Sequence, residues 1–213
     1  MTRHGGDASI ADLIVAMDER AALAAIRRRL EAGETPVKLI SECVNGIERV
    51  GRLYKDGTFF ISALIMAGEI FREAAEILIP LLEQPARLTN AGNFIIATVK
   101  GDIHDIGKNL VGTMLSSSGF KVIDLGTDVP AEEIVKAVRD NDAQAVGLSV
   151  LLTSMVQSIG EVVRALDAAG LRSNVKVAIG GACTTQELCD KMGADALGRD
   201  AVEAVRIFEG FCK

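Results

Sequence analysis

The apolar positions of this chain follow two rhythms. From residue 8 to about 84 they recur at three- and four-residue intervals, which predicts amphipathic helices. The segment ADLIVAMDERAALAAIRRRLEAG (11–33) is rich in Ala and Leu and closes on Gly33, a residue suited to the position just past a helix end. Thr35-Pro36 then fits an N-cap followed by proline in the first turn. In PVKLISECVNGIERVGRLYKDG (36–57), Leu39, Ile40, Cys43, Ile47, Val50 and Leu53 share one face, and Asp56-Gly57 breaks the run. TFFISALIMAGEIFREAAEILIPLLEQ (58–84) is apolar nearly all round in its first half, which predicts a helix buried on more than one side. Four or five helices with short loops predict a small antiparallel bundle.

Residues 85–93, PARLTNAGN, read as a linker. Beyond them, short apolar runs at 94–99, 121–125, 145–150, 176–180 and, more weakly, 195–198 predict strands. Helical segments are expected near 107–118, 130–140, 154–169, 184–192 and 200–210, with Pro130 before Ala-Glu-Glu as a start signal. Strict alternation of strand and helix predicts a parallel sheet with right-handed crossovers. Five strands in this length fit a flavodoxin-like (Rossmann-type) sheet of order 2-1-3-4-5. The expected domains are 1–88, a helical bundle, and 89–213, the α/β domain.

Composition narrows the function classes. The chain has 213 residues, 49% of them hydrophobic and 24% charged, which is a globular make-up. A net charge of −6 and a pI of about 5.1 speak against nucleic-acid binding and against docking on an acidic membrane. The beginning, MTRHGGDASIADL, lacks the apolar run of a signal peptide, and the apolar stretches are broken well short of a membrane span. Cys43, Cys183, Cys189 and Cys212 form no CxxC pair and read as reduced thiols of a cytoplasmic protein. The run Arg27-Arg28-Arg29 reads as a solvated helix face.

Ligands of open α/β sheets sit beyond the carboxyl ends of the strands. Three features fall there: Asp102-Ile-His104-Asp105-Ile-Gly107 after the first strand, Ser149-Val-Leu151 after the third, and Gly180-Gly181 after the fourth. In the expected strand order they converge on one crevice. His104 alone could be a base, a metal ligand or a turn residue. A lone histidine builds no zinc cage. It can serve a metal whose other ligands belong to a cofactor such as a haem or a corrin, with Asp102 holding its second nitrogen. Gly180-Gly181 would let a bulky group approach the backbone closely, and Ser149 could hydrogen-bond a heterocyclic nitrogen.

This three-part pattern resembles the signature DxHxxG, SxL, GG of the cobalamin-binding domain of methyltransferases and mutases. Here 41 residues separate Gly107 from Ser149 and 28 separate Leu151 from Gly180, in agreement with that family. The helical half, with YKDGTFFISALIMAGEIF, is similar to the cap that precedes this domain in methionine synthase and in the corrinoid carriers of methanol, methylamine and methoxyarene methyl transfer. The resemblance implies a non-catalytic corrinoid methyl carrier, rather than a corrinoid sensor, a mutase subunit or a flavin-binding module. Its cofactor would be cobalamin, as methylcobalamin or hydroxocobalamin. Its partners would be a substrate-specific methyltransferase, a second methyltransferase acting on a folate or thiol, and a reductive activase.

The resemblance also implies residue roles. His104 would be the lower axial ligand of cobalt, replacing the cofactor's dimethylbenzimidazole, with Asp102 holding it. Ser149 and Leu151 would meet the displaced base. Gly107, Gly180 and Gly181 would leave room for the nucleotide tail, and Asp105 would lie at the same site. Phe60 and Met66 would cover the methyl-bearing face. Family members often carry a hydroxyl six positions after the SxL serine; here that position is Met155, which leaves two alternatives open: Thr153 or Ser154 substitutes, or the relay stops at Asp102.

Overall fold

The computed structural model describes residues 8–82 and 92–211. The described residues form two compact units, one ending at residue 83 and the other beginning at 84. Most of the expected linker, the expected domain boundary after 88, the first seven residues and Cys212 lie outside the described residues.

The first unit holds α1 (Ile10–Val15), α2 (Glu19–Glu31), α3 (Pro36–Lys55) and α4 (Ile61–Leu82). Local chemistry sets its boundaries. Ser9 and Asp12 form a reciprocal capping box on α1. Met17, with φ 57°, turns the chain, and Asp18 caps α2 by accepting from the Ala21 N–H at 3.0 Å. Gly33 has φ 85° just past α2, and Pro36 opens α3, as the sequence predicts. Ile10, Ile14, Ile26, Leu39, Ile40, Cys43, Val50, Ile70, Ala74 and Leu78 are buried in this unit. α1 and α3 meet closely at Gly46, where a Cβ would lie 2.9 Å from Ile14 Cβ.

Two expectations fail here. Arg27 and Arg28 are exposed, but Arg29 turns inward. Its guanidinium binds Glu34 at 2.7 Å and Glu42 at 2.6 Å, tying α2 to α3. Consecutive helical residues point 100° apart, so three in a row do not share one face. The second failure is α4. It buries Ala67, Ile70, Ala74, Leu78 and Leu82 along one side only. Phe60 (80% exposed), Ile61, Ile65 and Met66 (49% exposed) are open at its beginning. Apolar residues all round show that some cover is needed, but not that the unit itself supplies it.

The second unit is a five-stranded parallel sheet in the order β2-β1-β3-β4-β5, as the alternation predicts. Its strands are β1 (Asn93–Thr98), β2 (Lys121–Asp124), β3 (Ala145–Ser149), β4 (Lys176–Gly180) and β5 (Ala196–Gly198). Its helices are α5 (Ile106–Ser117), α6 (Ala131–Asp140), α7 (Gln157–Ala168), α8 (Gln186–Met192) and α9 (Ala201–Phe211). The expected single helix near 154–169 is instead a 3-10 turn, Thr153–Met155, followed by α7. Alternate strand residues serve opposite faces. Ile95, Ala97, Val146, Leu148, Val177 and Ile179 meet α6, α7 and α8, while Phe94, Ala145 and Ala178 meet α5 and α9. On the latter side Phe94 stacks between Phe120 and Phe208, with ring centroids 4.7 and 4.9 Å away.

Gly46→Val is expected to lower stability by ~1–3 kcal/mol, because the added atoms enter an α1–α3 contact with no room for them. Urea unfolding followed by circular dichroism measures it.

Candidate functional site

The parallel register sets Thr98, Ser149, Gly180 and Gly198 side by side at the carboxyl ends of β1, β3, β4 and β5. This rim carries only small side chains. A Cβ on Gly180 would lie 3.1 Å from the Gly198 carbonyl oxygen. Gly181 has φ 127°, and a Cβ there would lie 2.0 Å from the Val150 carbonyl oxygen, so only glycine fits.

The β1–α5 loop is built around Asp102, whose side chain is fully buried. Oδ1 accepts from His104 Nδ1 at 2.6 Å and from the His104 main-chain N–H at 3.1 Å. Oδ2 accepts from the main-chain N–H groups of Leu151 at 2.7 Å and Leu152 at 3.0 Å. Burial pushes this carboxyl up, but the four hydrogen bonds together outweigh burial and hold it below the ordinary carboxylate range. An anionic Asp102 makes Nδ1 the protonated nitrogen of a neutral imidazole and leaves Nε2 with its lone pair. The imidazole is 45% exposed, and Nε2 has no hydrogen-bond partner among the described residues. Buried Thr98 fixes the loop from below, its hydroxyl donating to the His104 carbonyl at 2.8 Å.

Not every expected residue joins this constellation in the expected way. Asp105 caps α5 by position, and its carboxylate accepts from Asn109 Nδ2 at 3.0 Å rather than meeting the imidazole. Gly107 is the second residue of α5, and a Cβ there would have no atom within 4 Å. The Ser149 hydroxyl has no hydrogen-bond partner among the described residues. Leu151 reaches the site through its main chain. Thr153 and Ser154 are exposed in the 3-10 turn and make no hydrogen bond to Asp102, so of the two alternatives the hydrogen bonds agree with a relay that stops at Asp102. The two backbone amides occupy Oδ2 instead. Met155 turns its thioether onto Gly101, where a Cβ would lie 2.4 Å from its sulfur. Phe60 and Met66 belong to the helical unit and are exposed there.

Sequence reasoning missed several neighbours. Buried Lys108 binds Asp124 at 2.5 Å and Asn109 at 2.7 Å, holding the beginning of α5 to the end of β2. A lysine directly after the glycine of the motif, with an aspartate closing the next strand, was the available signal. Ile103 (74% exposed), Ile106 and Leu152 form exposed apolar positions on the loops that carry His104 and its support. Among the described residues no group of three or more His, Cys, Asp or Glu could hold a metal ion. No helix among them is long and apolar enough to cross a membrane.

Comparison with known proteins places the chain. B12 binding domain families match residues 92–206 and residues 7–79. The dimethylamine corrinoid protein 2 of Methanosarcina mazei is 36% identical over 92% of this chain and 92% of its own length. The trimethylamine corrinoid protein 2 of the same organism is 38% identical over 90% of this chain and 89% of its own. Among solved structures, the monomethylamine corrinoid protein of Methanosarcina barkeri superposes with a TM-score of 0.82 at 30% identity, covering 94% of this chain and 95% of that one. A chain of the methanol:cobalamin methyltransferase complex of the same organism gives a TM-score of 0.56 at 29% identity, covering 96% of this chain and 78% of that one.

Asp102→Asn is expected to destabilise the folded chain at neutral pH. Folding lowers the Asp102 carboxyl from its ordinary 3.8, so its contribution is present above that value and fades as pH falls through the folded value. The stability gap between wild type and variant therefore narrows below about pH 4, which urea titrations across pH can follow. Gly181→Ala is expected to destabilise by more than ~1 kcal/mol through its positive φ and blocked space, measured the same way.

Proposed function

This chain belongs to the corrinoid proteins of methyltransferase systems, which carry B12 binding domains, and from that premise we propose that it shuttles methyl groups with His104 as the lower axial ligand of cobalt, in place of the cofactor's dimethylbenzimidazole. The observation that carries this reading is the imidazole itself. It is half-exposed, is held at Nδ1 by a buried anion, and has an Nε2 with no protein partner among the described residues. The site fits a bulky group in two further respects. The strand-end rim is stripped of large side chains, and the Ser149 hydroxyl stands without a partner among the described residues. A bound cobalamin supplies the cobalt that accepts and gives up the methyl group.

The chain's own residues bind and orient. His104 offers Nε2 to the metal, and Asp102 fixes the tautomer and orientation of the ring. Leu151 and Leu152 keep Asp102 in place through their amides. Ser149 offers a hydroxyl to the cofactor's heterocyclic base, with Leu151 lining the same place. Gly107, Gly180 and Gly181 leave the nucleotide tail unobstructed, and the Asp105–Asn109 pair and Thr153 flank it. Phe60 and Met66 are apolar and exposed on the helical unit.

The partners in this reading are a substrate-specific methyltransferase, a second methyltransferase delivering to a folate or thiol, and a reductive activase. The solved methanol:cobalamin methyltransferase complex and the methylamine corrinoid relatives support the first of these. The free thiols of Cys43 and Cys189 suit the reducing cytoplasm. Burial, aided by Glu42, pushes the Cys43 thiol up to about 12, so it carries no reactive thiolate at neutral pH.

Reconstitution of the full chain with cobalamin tests the assignment. His104→Ala is expected to weaken cobalamin binding ~10–100-fold and to alter the visible spectrum of the bound corrinoid. Identical spectra and affinities for variant and wild type would remove His104 from the metal.

A further inference from the structure

The β2–α6 loop contains Asp128, a non-glycine residue with φ 56°. Residues other than glycine hold this left-handed conformation where their surroundings impose it, and such outliers cluster at functional sites. Asp128 uses the conformation to make two hydrogen bonds to the loop that carries His104. Its main-chain N–H donates to the Asp102 carbonyl at 2.9 Å. Its Oδ1 accepts from the Gly101 N–H at 2.7 Å. One residue thus brackets the backbone of Gly101 and Asp102 with two bonds. The neighbouring residues extend the same seam: the Val129 N–H donates to the Thr98 carbonyl at 3.1 Å, and the Thr98 N–H donates to the Gly126 carbonyl at 3.0 Å.

The clamp faces a second one. On the β3 side, Leu151 and Leu152 hold the Asp102 carboxylate. On the β2 side, Asp128 holds the Asp102 main chain. Met155 packs against the bend, its sulfur 2.4 Å from where a Cβ on Gly101 would sit. Gly101 itself has φ 85°, so its conformation needs external fixing. Asp102 aims the imidazole correctly only if its own backbone is pinned, because a ligand geometry loosened by a fraction of an ångström forfeits its preorganisation.

We infer that Asp128 is a positioning residue for the axial histidine, setting the backbone of Gly101 and Asp102 so that Asp102 can orient His104. The inference rests on His104 being the cobalt ligand. Aspartate suits the task because it tolerates positive φ and brings an acceptor oxygen; asparagine shares both properties, glycine has only the first and alanine neither.

The test uses the full chain carrying D128N, D128G or D128A, each alone and with H104A. Three readouts apply: hydrogen exchange of the Gly101 amide without cofactor, cobalamin affinity, and the visible and electron-paramagnetic signature of a nitrogen bound to cobalt. D128N is expected to stay within about twofold of wild type in affinity and to keep the nitrogen signature. D128G, which carries no backbone strain, is expected to expose the Gly101 amide, to bind cobalamin about tenfold more weakly and to lose part of the nitrogen signature. D128A should do the same or more. In the H104A background the effect of D128G on affinity should shrink to under about twofold, because its route runs through the ligand.

Wild-type affinity and signature in D128G, with H104A altered in both, would overturn the inference while leaving the ligand assignment intact. A D128G loss that persists undiminished beside H104A would overturn it as well, assigning Asp128 to fold stability. An H104A protein indistinguishable from wild type would instead overturn the ligand assignment, and the inference with it.

Discussion

The α/β unit depends on one buried carboxylate. Asp102 is removed from water, and an unpaired charge there would be expensive. Four N–H donors offset that burial, two from His104 and two from the chain beyond β3. The bonds reach across two parallel strands, so they exist only if β1 and β3 are neighbours with Thr98 opposite Ser149. The crossover topology and the orientation of a single imidazole are therefore one constraint. If β3 were displaced, Asp102 would lose the two amide donors on Oδ2, half of the hydrogen bonds that offset its burial.

The donors on Oδ2 have a chemical consequence. A side-chain hydroxyl at that position could pass a proton onward, whereas a main-chain amide only donates a hydrogen bond. In this chain the connection from His104 through Asp102 ends in fixed backbone dipoles. Met155, at the position where relatives often carry a hydroxyl, contributes shape instead, filling the space above Gly101. The same economy of space governs the strand-end rim. Gly181 admits no Cβ because the Val150 carbonyl lies in the way, so a residue that makes room for a large group is also demanded by the fold.

The helical unit shows the complementary case. Its interior is closed by Ile14, Ile40, Val50, Ile70 and Leu78 and stitched on one side by Arg29 between Glu34 and Glu42. The beginning of α4 stays apolar and uncovered within that unit. Solvent exposure of Phe60, Ile61, Ile65 and Met66 on consecutive turns is a continuous unfavourable surface rather than scattered single residues, which is the mark of a contact face.

Much of this was legible in the chain itself. Periodicity alone located the helices of the first unit and the five strands of the second, because amphipathic spacing and short β-rich runs are local properties. The order 2-1-3-4-5 was expected because five alternating strands in this length fit a flavodoxin-like sheet. Asp102, His104, Ser149 and the Gly180-Gly181 pair announced themselves by falling at strand ends in a known three-part spacing. Other features depended on long-range geometry. Nothing near Asp102 in sequence indicates that amides 49 and 50 residues away would occupy Oδ2. The inward turn of Arg29 depended on where Glu42 came to lie. The role of Asp128 was invisible because its φ and its grip on Gly101 arise only when the β2–α6 loop runs beside the β1–α5 loop. Local pattern determined the elements and the chemistry available to them; which donors reach a buried charge is decided by distance in space, and only the folded chain sets that.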